Sequence, residues 1–298
     1  MFVSLATTTA CATSDVPVAT GGGAMSPNLK SDAASGVAFA ASRDGTRIAF
    51  EKTGAGPALV IVGGALSDRN GGKPLAAALA ERFTVYVYDR RGRGASGDTK
   101  PYGVDREIED LDALIEHAGG KAYVYGVSSG AALALQAAAK LGPAKMPRLA
   151  LFEPPYGQDQ RQFDEQKERV HQLVKTGKPG DAAAYFLSAI GIPPPALEEM
   201  KRSPNWESMK KMDFTLEYDY AVLGNGNVPD SVKLVTVPTL VMDGEKSIGF
   251  LRPTADRIAE LLPNARRKTL EGQSHQAAPE AVAPPLAEFF GEGNQARR

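Results

Sequence analysis

The sequence contains 298 residues, of which 43% are hydrophobic and 23% are charged, as expected of a globular chain with one large domain. Its net charge of −1 gives no electrostatic basis for binding nucleic acid or an anionic membrane surface. One cysteine, Cys11, excludes an internal disulfide, and three histidines argue against a multi-histidine metal site, so neither a metal nor another cofactor is predicted. No segment approaches the about 20 apolar residues of a transmembrane helix.

Residues 1–35 are rich in Ala, Thr, Ser and Gly without a periodic hydrophobic pattern, which predicts a disordered tail. Two other interpretations stay open. The residues before Cys11 faintly resemble the end of a bacterial lipoprotein signal, although a basic segment is missing, and the protein would then be exported or lipid-anchored. Alternatively, Met25 is the natural start of the protein. A cytoplasmic location is preferred over export.

Between residues 37 and 155, short apolar runs alternate with helical patterns. The predicted strands cover 37–42, 46–53, 58–62, 84–88, the apolar run before Ser128 and 149–152; the predicted helices cover 74–82, 105–117 and the Ala-rich segment after Ser128. Strands that alternate with helices form a parallel sheet with both faces covered. The predicted class is therefore α/β, with a mostly parallel sheet flanked by helices.

Residues 156–233 interrupt this alternation, because they contain helical patterns (163–174, 182–190, 196–200 and 206–222) and no strand pattern. A strand at 239–242, a helix at 253–262, a strand at 267–270 and a helix at 279–290 complete the core. Insertions on parallel sheets lie over the carboxyl ends of the strands, where ligands bind. We predict a core of 36–155 and 234–291, an inserted helical cap of 156–233, and a flexible tail of 292–298.

The motif Gly126-Val127-Ser128-Ser129-Gly130 lies where the predicted central strand turns into the Ala-rich helix. A chain that passes from strand to helix within one residue forces that residue into a strained conformation and exposes its side chain. The flanking glycines are needed because side chains there would collide with the neighbouring strand and helix. This pattern predicts that Ser128 is a nucleophile above the N-terminus of a helix.

Four motifs occur in a fixed order: Gly63-Gly64-Ala65, the charged segment 89–96, the Ser128 motif, and Gly272-Gln273-Ser274-His275. This ordered set resembles the α/β-hydrolase fold superfamily over residues 37–291. The resemblance implies an eight-stranded, mainly parallel sheet, a helical cap between the sixth and seventh strands, and a catalytic triad of Ser, an acid and His. In relatives the segment matching 89–96 is a structural loop, so we assign it no catalytic role.

The triad needs a base within reach of Ser128, since a serine hydroxyl is a poor nucleophile by itself. Among the three histidines, His117 ends an amphipathic helix and His171 lies within the predicted cap. Both are interpreted as structural or solvated. His275 follows the last strand in a polar loop, from which it can reach the nucleophile, and we predict that it is the general base.

The oxyanion that forms during acyl transfer needs preorganised hydrogen-bond donors. By resemblance, one donor is the N–H of Ser129, the residue after the nucleophile. The second is the N–H of Ala65 in the loop after the third strand. Relatives carry His where this sequence has Gly63, a change that alters the lining of the site and leaves the backbone donor in place.

The acid departs from the family pattern, in which an Asp follows the seventh strand at the position of Ser247. Three carboxylates are candidates to replace it: Asp243, Glu245 and Glu153. Glu153 is preferred because it ends the strand beside that of Ser128, and neighbouring strands are about 4.8 Å apart. Some haloalkane dehalogenases of similar fold also place a Glu here. Asp243 remains the alternative acid, Glu245 is interpreted as solvated, and the absence of a functional acid stays open.

These residues predict a serine hydrolase that cleaves a small or medium ester-like substrate through an acyl-enzyme, that is, an esterase-like enzyme with a small-molecule substrate. A carbon–carbon hydrolase or a lyase on the same triad is an alternative. A ligand-binding protein with a degenerate triad is another.

Some aromatic residues of the predicted cap are expected to line an apolar acyl pocket. They are Phe163, Phe186, Trp206, Phe214, Tyr218 and Tyr220. The oligomeric state is left open.

Overall fold

The computed structural model describes residues 36–247 and 249–295. The predicted N-terminal tail, including Cys11 and Met25, lies outside the described residues. Eight strands form one sheet. They are β1 (Ala38–Ala41), β2 (Arg47–Thr53), β3 (Ala58–Val62), β4 (Thr84–Tyr88), β5 (Tyr123–Val127), β6 (Leu149–Phe152), β7 (Thr239–Gly244) and β8 (Ala265–Leu270).

The strand order across the sheet is β1-β2-β4-β3-β5-β6-β7-β8. β1 pairs antiparallel with β2, and β2 pairs antiparallel with β4, whereas every pair from β4 to β8 is parallel. The central strands are buried on both faces, which explains their continuous apolar sequences, such as Ala58–Val62. This arrangement confirms the predicted eight-stranded, mostly parallel sheet.

Ten helices accompany the sheet in the part of the chain that is described. They are α1 (Arg69–Leu79), α2 (Val104–His117), α3 (Ser129–Lys145), α4 (Gln160–Thr176), α5 (Asp181–Ala189), α6 (Pro194–Arg202), α7 (Asn205–Met212), α8 (Leu216–Leu223), α9 (Leu251–Leu261) and α10 (Pro279–Gln295). Helices α4–α8 lie between β6 and β7, inside the segment that the sequence predicts as a cap, and the name cap is used below for these five helices and the segments that join them. None of the described helices is both long and apolar enough to span a membrane.

The flanking helices cover both faces of the sheet. On one face, α1 and α10 pack their apolar residues against the sheet, including Leu75, Leu79 and Leu286. On the other face, α2, α3 and α9 form a larger apolar cluster that continues into the cap. Because β3, β5, β6 and β7 pair in parallel, their carboxyl ends meet at one edge of the sheet, and the loops that follow them form the candidate site.

Some helix boundaries differ from the predicted ones. α1 begins at Arg69 rather than at position 74, and the Asp68 side chain caps it by accepting a hydrogen bond from the Asn70 N–H at 2.9 Å. The pattern at 206–222 is broken into α7 and α8 by a turn at Asp213–Thr215, where Asp213 accepts a hydrogen bond from the Gly180 N–H at 2.6 Å. α10 continues to Gln295, beyond the predicted core boundary at 291.

Candidate active site

Ser128 occupies a sharp turn between β5 and α3. Its backbone lies at φ 55° and ψ −128°, a strained conformation for a residue other than glycine. A Cβ atom added to Gly126 would lie 2.5 Å from the Gly130 carbonyl oxygen, and one added to Gly130 would lie 2.3 Å from the Val62 carbonyl oxygen. Only glycine fits at either position, so the motif has the structural context that a nucleophile elbow requires.

Glu153 and His275 are in direct contact. The His275 Nδ1 atom lies 2.6 Å from Glu153 Oε2, and the other carboxylate oxygen accepts a hydrogen bond from the Gly244 N–H at 2.7 Å. Glu153 directly follows β6, has a φ of 49° and is fully buried. Both of its oxygens are therefore held, and one of them is directed at the imidazole ring.

Strand register explains why Ser128 and Glu153 are neighbours. In the parallel pair of β5 and β6, Val127 lies opposite Phe152, so each of the two candidate residues directly follows a paired residue. The Ser128 N–H also donates a hydrogen bond to the Phe152 carbonyl oxygen at 2.9 Å. The ends of these two strands bring the candidate nucleophile and the candidate acid to one edge of the sheet.

The loop between β8 and α10 carries His275 back over this edge. Its Gln273 carbonyl oxygen accepts a hydrogen bond from the Lys246 N–H at 2.7 Å, and a Cβ atom on Gly244 would lie 2.6 Å from the same oxygen. The close approach of the two backbones at Gly244 fixes the loop against the end of β7. Ser128 and His275 line the same cavity.

Asp243, the alternative acid, is bound elsewhere. Its carboxylate accepts hydrogen bonds from Arg252 at 3.0 Å, Arg267 at 2.9 Å and Thr269 at 2.8 Å. Burial raises the pKa of the Asp243 carboxyl, but these three donors outweigh burial and hold the pKa below its ordinary value. Asp243 therefore acts as an ion-pair centre between β7, β8 and α9, and the structure brings Glu153 rather than Asp243 to His275.

Glu245 and Ser247 follow β7, and neither the carboxylate nor the hydroxyl is bonded to His275 in the described chain. Glu245 is exposed and accepts a hydrogen bond from the Gly272 N–H at 2.8 Å. Ser247 lines the cavity, and its buried hydroxyl has no hydrogen-bond partner among the described residues. A serine at this position carries no charge that could stabilise an imidazolium ion.

The other two histidines lie away from this edge. The His117 ring packs edge-on against Phe50, with the ring centroids 4.7 Å apart. Burial and the nearby Lys52 charge lower the pKa of His117. His171 Nδ1 lies 2.6 Å from Glu217 Oε1 on the outer surface of the cap. Neither residue is among the described residues that line the cavity.

The two candidate oxyanion donors belong to Ser129, which follows Ser128 in the chain, and to Ala65, which follows Gly64. The Gly64 backbone lies so close that a Cβ atom there would be 3.0 Å from Ser128 Cβ. Within the described chain, the Ala65 N–H donates to no protein acceptor. Ser129 is the first residue of α3, where a helix leaves its N–H groups without intrahelical partners. Both residues line the cavity that Ser128 lines, as an oxyanion hole requires.

The loop after β4, residues 89–96, contains three buried arginines, and each forms an ion pair with a buried carboxylate from another part of the chain. The pairs are Arg90 with Glu107 at 2.7 Å, Arg91 with Asp110 at 2.6 Å, and Arg93 with Asp219 at 2.8 Å. No residue of this loop, all of which is described, lines the cavity. Asp219, in α8, lines the cavity and is not among the residues predicted from the sequence. The arginines of the 89–96 segment are the signal in the sequence that could indicate such a residue, because buried charges require partners of opposite charge.

The cavity above Ser128 has a volume of about 700 Å³ and mostly apolar walls. The cap contributes Phe186, Leu187, Ile190, Ile192, Met200, Met209, Tyr220 and Leu223, and the core contributes Ile61, Leu75, Val87, Tyr125, Phe152 and Val282. Of the six aromatic cap residues singled out in the sequence, Phe186 and Tyr220 line the cavity. The other four are not among its lining residues.

Across residues 36–247 and 249–295, no group of three or more His, Cys, Asp or Glu side chains is arranged to hold a metal ion.

Comparison with known proteins agrees with this fold. The family model described as "Alpha/beta hydrolase family" matches residues 59–286. An alpha/beta hydrolase from Sphaerobacter thermophilus DSM 20745, known from its crystal structure, is 49% identical in sequence to this chain. The two structures have a TM-score of 0.78, and the match covers 85% of this chain and 99% of that one. A hydrolase from Pseudomonas aeruginosa PA01 is 25% identical, with a TM-score of 0.72 over 87% of this chain and 99% of that one.

Among curated proteins, the N-formylmaleamate deformylase of Pseudomonas putida KT2440 is 38% identical over 105 residues. That match covers 34% of this chain and 39% of the deformylase, so the chain matches well under half of the length of this relative. The family match extends over most of the described chain and confirms the resemblance that the ordered motifs indicate. The chain therefore belongs to the alpha/beta hydrolase family.

Proposed function

We propose that the protein is a serine hydrolase that cleaves an ester or a related acyl bond of a small, largely apolar molecule. The observation that carries this proposal is the 2.6 Å contact between His275 Nδ1 and Glu153 Oε2, made beside a cavity that His275 and Ser128 both line. A carboxylate on one ring nitrogen holds the proton there and leaves the other nitrogen free to act as a base.

In the proposed mechanism, His275 Nε2 removes the proton of the Ser128 hydroxyl as the serine oxygen attacks the substrate carbonyl carbon. The carbonyl oxygen becomes an oxyanion that accepts hydrogen bonds from the Ala65 and Ser129 N–H groups. His275 then donates its proton to the leaving alcohol or amine, and the acyl group stays on Ser128. Water, deprotonated by His275, attacks the acyl-enzyme and releases the acid, and the proton returns to Ser128.

The cavity supports this substrate class, because its walls are mostly apolar. Two of the charged residues in its lining already have partners: Arg69 is bound by Asp89 at 2.5 Å and by Glu51 at 2.8 Å, and Asp219 is bound by two arginines. Asp68 caps α1, and Lys246 is exposed. A cavity of about 700 Å³ accommodates a small or medium acyl chain together with its leaving group. We therefore expect apolar acyl esters to be preferred over charged ones. Similarity to a deformylase adds formamides to the bonds worth testing.

Labelling with a fluorophosphonate tests the proposal, because this probe reacts only with an activated serine. We expect the wild-type protein to be labelled, and the Ser128→Ala variant to be neither labelled nor active. Thermal stability should be nearly unchanged in the variant, since alanine keeps the Cβ atom and the strain belongs to the backbone. The substrate panel consists of p-nitrophenyl esters of increasing chain length, with lactones, amides and formamides.

Three outcomes would contradict the proposal. Turnover retained by purified Ser128→Ala would exclude the serine mechanism. Absence of labelling in the wild-type protein would indicate a ligand-binding protein with a degenerate triad. Labelling of Ser128 without hydrolysis of any member of the panel would instead favour carbon–carbon bond cleavage by the same residues.

A further inference from the structure

The cap contributes one carboxylate that is buried against the core, Asp219 in α8. It is 3% exposed. Its oxygens accept two hydrogen bonds from Arg93, at 2.8 and 2.9 Å, one from Arg90 at 2.8 Å, and one from the Ser129 hydroxyl at 2.7 Å. The last of these partners is the residue directly after the candidate nucleophile. A single cap residue is thus bonded to the start of α3.

The same two arginines hold the loop that carries the other oxyanion donor. Arg93 donates a hydrogen bond to the Gly64 carbonyl oxygen at 2.5 Å, and Arg90 donates one to the Gly63 carbonyl oxygen at 3.4 Å. The Gly64 carbonyl also accepts a hydrogen bond from the Ser67 hydroxyl at 2.7 Å. This carbonyl therefore has two donors, one of them charged.

The Gly64 carbonyl belongs to the same peptide unit as the Ala65 N–H. A trans peptide is planar, and its C=O and N–H bonds point in opposite directions. When Arg93 and Ser67 hold the carbonyl oxygen on one side, the Ala65 N–H is directed to the other side. A charged donor on the carbonyl also polarises the amide and makes its N–H a better donor.

The charges of this cluster balance within a buried environment. Arg90 and Arg93 carry two positive charges, and Asp219 and Glu107 carry two negative charges. Burial alone would raise the pKa of the Asp219 carboxyl, but Arg93 and Arg90 hold it below its ordinary value. Asp219 therefore stays ionised, and its loss would leave the two adjacent guanidinium groups short of one counter-charge.

We propose that Asp219 is a positioning residue for the oxyanion hole, so that docking of the cap onto Arg90, Arg93 and Ser129 sets the direction of the Ala65 N–H through the Gly64 carbonyl and holds Ser129 in place at the start of α3. This inference rests on the proposed function. It gives the cap a role in the chemical step in addition to forming a wall of the cavity. Asp219 acts through the Gly64–Ala65 peptide and through Ser129, and not on the substrate itself.

The test compares Asp219→Asn with Asp110→Asn in the full-length protein. Asp110 is the matched control, because it forms a buried two-contact pair with Arg91 in the same loop, at 2.7 and 2.6 Å, and makes no recorded hydrogen bond to residues 63–65 or Ser129, all of which are described. Both variants should have lower thermal stability. Only Asp219→Asn should lose kcat, by about tenfold to a hundredfold, with KM little changed, since removing one oxyanion donor outright costs about 10²–10³ in kcat.

An alkyl trifluoromethyl ketone measures the oxyanion hole separately from substrate binding. The Ser128 oxygen adds to its carbonyl carbon, the serine proton passes to His275, and the ketone oxygen becomes an alkoxide on the Ala65 and Ser129 N–H groups. In Asp219→Asn, the affinity for this inhibitor should fall by the same factor as kcat. The affinity for the corresponding methyl ketone should be little changed, because it binds without forming the alkoxide.

Ser129→Ala is the second variant, for the case in which Asp219→Asn does not fold. It removes a hydroxyl that donates a hydrogen bond to the Asp219 carboxylate at 2.7 Å and accepts one from Arg90 at 3.2 Å, without a change in charge. We expect a loss of about tenfold in kcat, as one hydrogen bond to a charged group contributes. If the wild type neither hydrolyses an ester nor forms the ketone adduct, the proposed function is wrong. If the wild type does both, and the folded variants keep its kcat and its inhibitor affinity, the positioning role of Asp219 is wrong.

Discussion

The carboxylate of Glu153 makes two bonds, one to His275 at 2.6 Å and one to the Gly244 N–H at 2.7 Å, and its side chain has no exposed surface. A φ of 49° is unusual for a residue that is not glycine, and such a conformation persists only where the surrounding structure holds it. In Glu153 this backbone turn directs the side chain away from the sheet end and onto the imidazole. The energetic cost of the turn is consistent with a functional role for the side chain.

Replacing Glu153 with Gln should therefore reduce kcat by orders of magnitude. The amide removes the charge that stabilises the imidazolium ion and can present an N–H to the ring nitrogen that should donate. The corresponding change in serine proteases, a known example, costs about 10⁴ in kcat. Steady-state kinetics on the best ester, with circular dichroism to confirm the fold, measures the effect.

Two neighbouring variants serve as controls for this prediction. Asp243→Asn should lower thermal stability, because it weakens the pairs with Arg252 and Arg267, and should keep most of the activity. Ser247→Ala should change almost nothing. A large loss of kcat in Asp243→Asn, together with an active Glu153→Gln, would show that the acid has been assigned to the wrong residue.

For single residues, the sequence predicts a contact less well when the two residues lie far apart in the chain. Glu153 could be proposed because parallel neighbouring strands bring their carboxyl ends together, a rule that needs only the strand order. The partnership of Asp219 with Arg90 and Arg93 joins residues 129 and 126 positions apart. The buried arginines require carboxylates, but nothing local to Asp219 distinguishes it from the other acidic residues of the cap.

Among the cap elements, α5 contributes several apolar residues to the cavity, including Phe186 and Leu187. Phe186 is only partly buried, so its ring contacts the space that a substrate would fill. Phe186→Ala should enlarge the cavity and shift the preferred acyl chain to longer esters. Each methylene of the acyl chain that is buried in the new space stabilises the bound substrate by about 0.8 kcal/mol, which raises kcat/KM about fourfold.

Tyr185 provides the matched control for that shift. It precedes Phe186 in α5, is also partly buried, and packs against the apolar cluster without lining the cavity. Tyr185→Ala should lower stability while the dependence of kcat/KM on chain length stays that of the wild type. If both variants show the same chain-length profile as the wild type, the acyl chain binds elsewhere in the cavity.

Helix boundaries near the site show why element-level prediction was incomplete. The first residues of α1 include Gly71 and Gly72, which have low helix propensity, so the pattern of the sequence alone placed the start at position 74. A Cβ atom on Gly72 would lie 2.9 Å from Val87 Cγ1, and this close packing of helix on strand accounts for the glycine. Tertiary packing outweighs local propensity at this position.

At the scale of the whole molecule, the alternation of strands and helices was sufficient to predict a mostly parallel sheet, because few connections satisfy it. This pattern does not predict which residues join the cap to the core. One continuous apolar cluster includes Phe163, Trp206 and Tyr220 of the cap together with Leu133 and Val124 of the core. The buried ion pairs of Asp219 join the same two parts.

This continuity predicts that the cap and the core unfold as one cooperative unit. Trp206, the single tryptophan of the sequence, lies in α7 and is 8% exposed, so its fluorescence reports on the cap alone. Far-ultraviolet circular dichroism reports mainly on the helices and strands of the whole protein. In a denaturant titration the two signals should give coincident transitions, as two-state unfolding requires. A fluorescence transition at lower denaturant concentration would show that the cap separates first, as an independently unfolding segment.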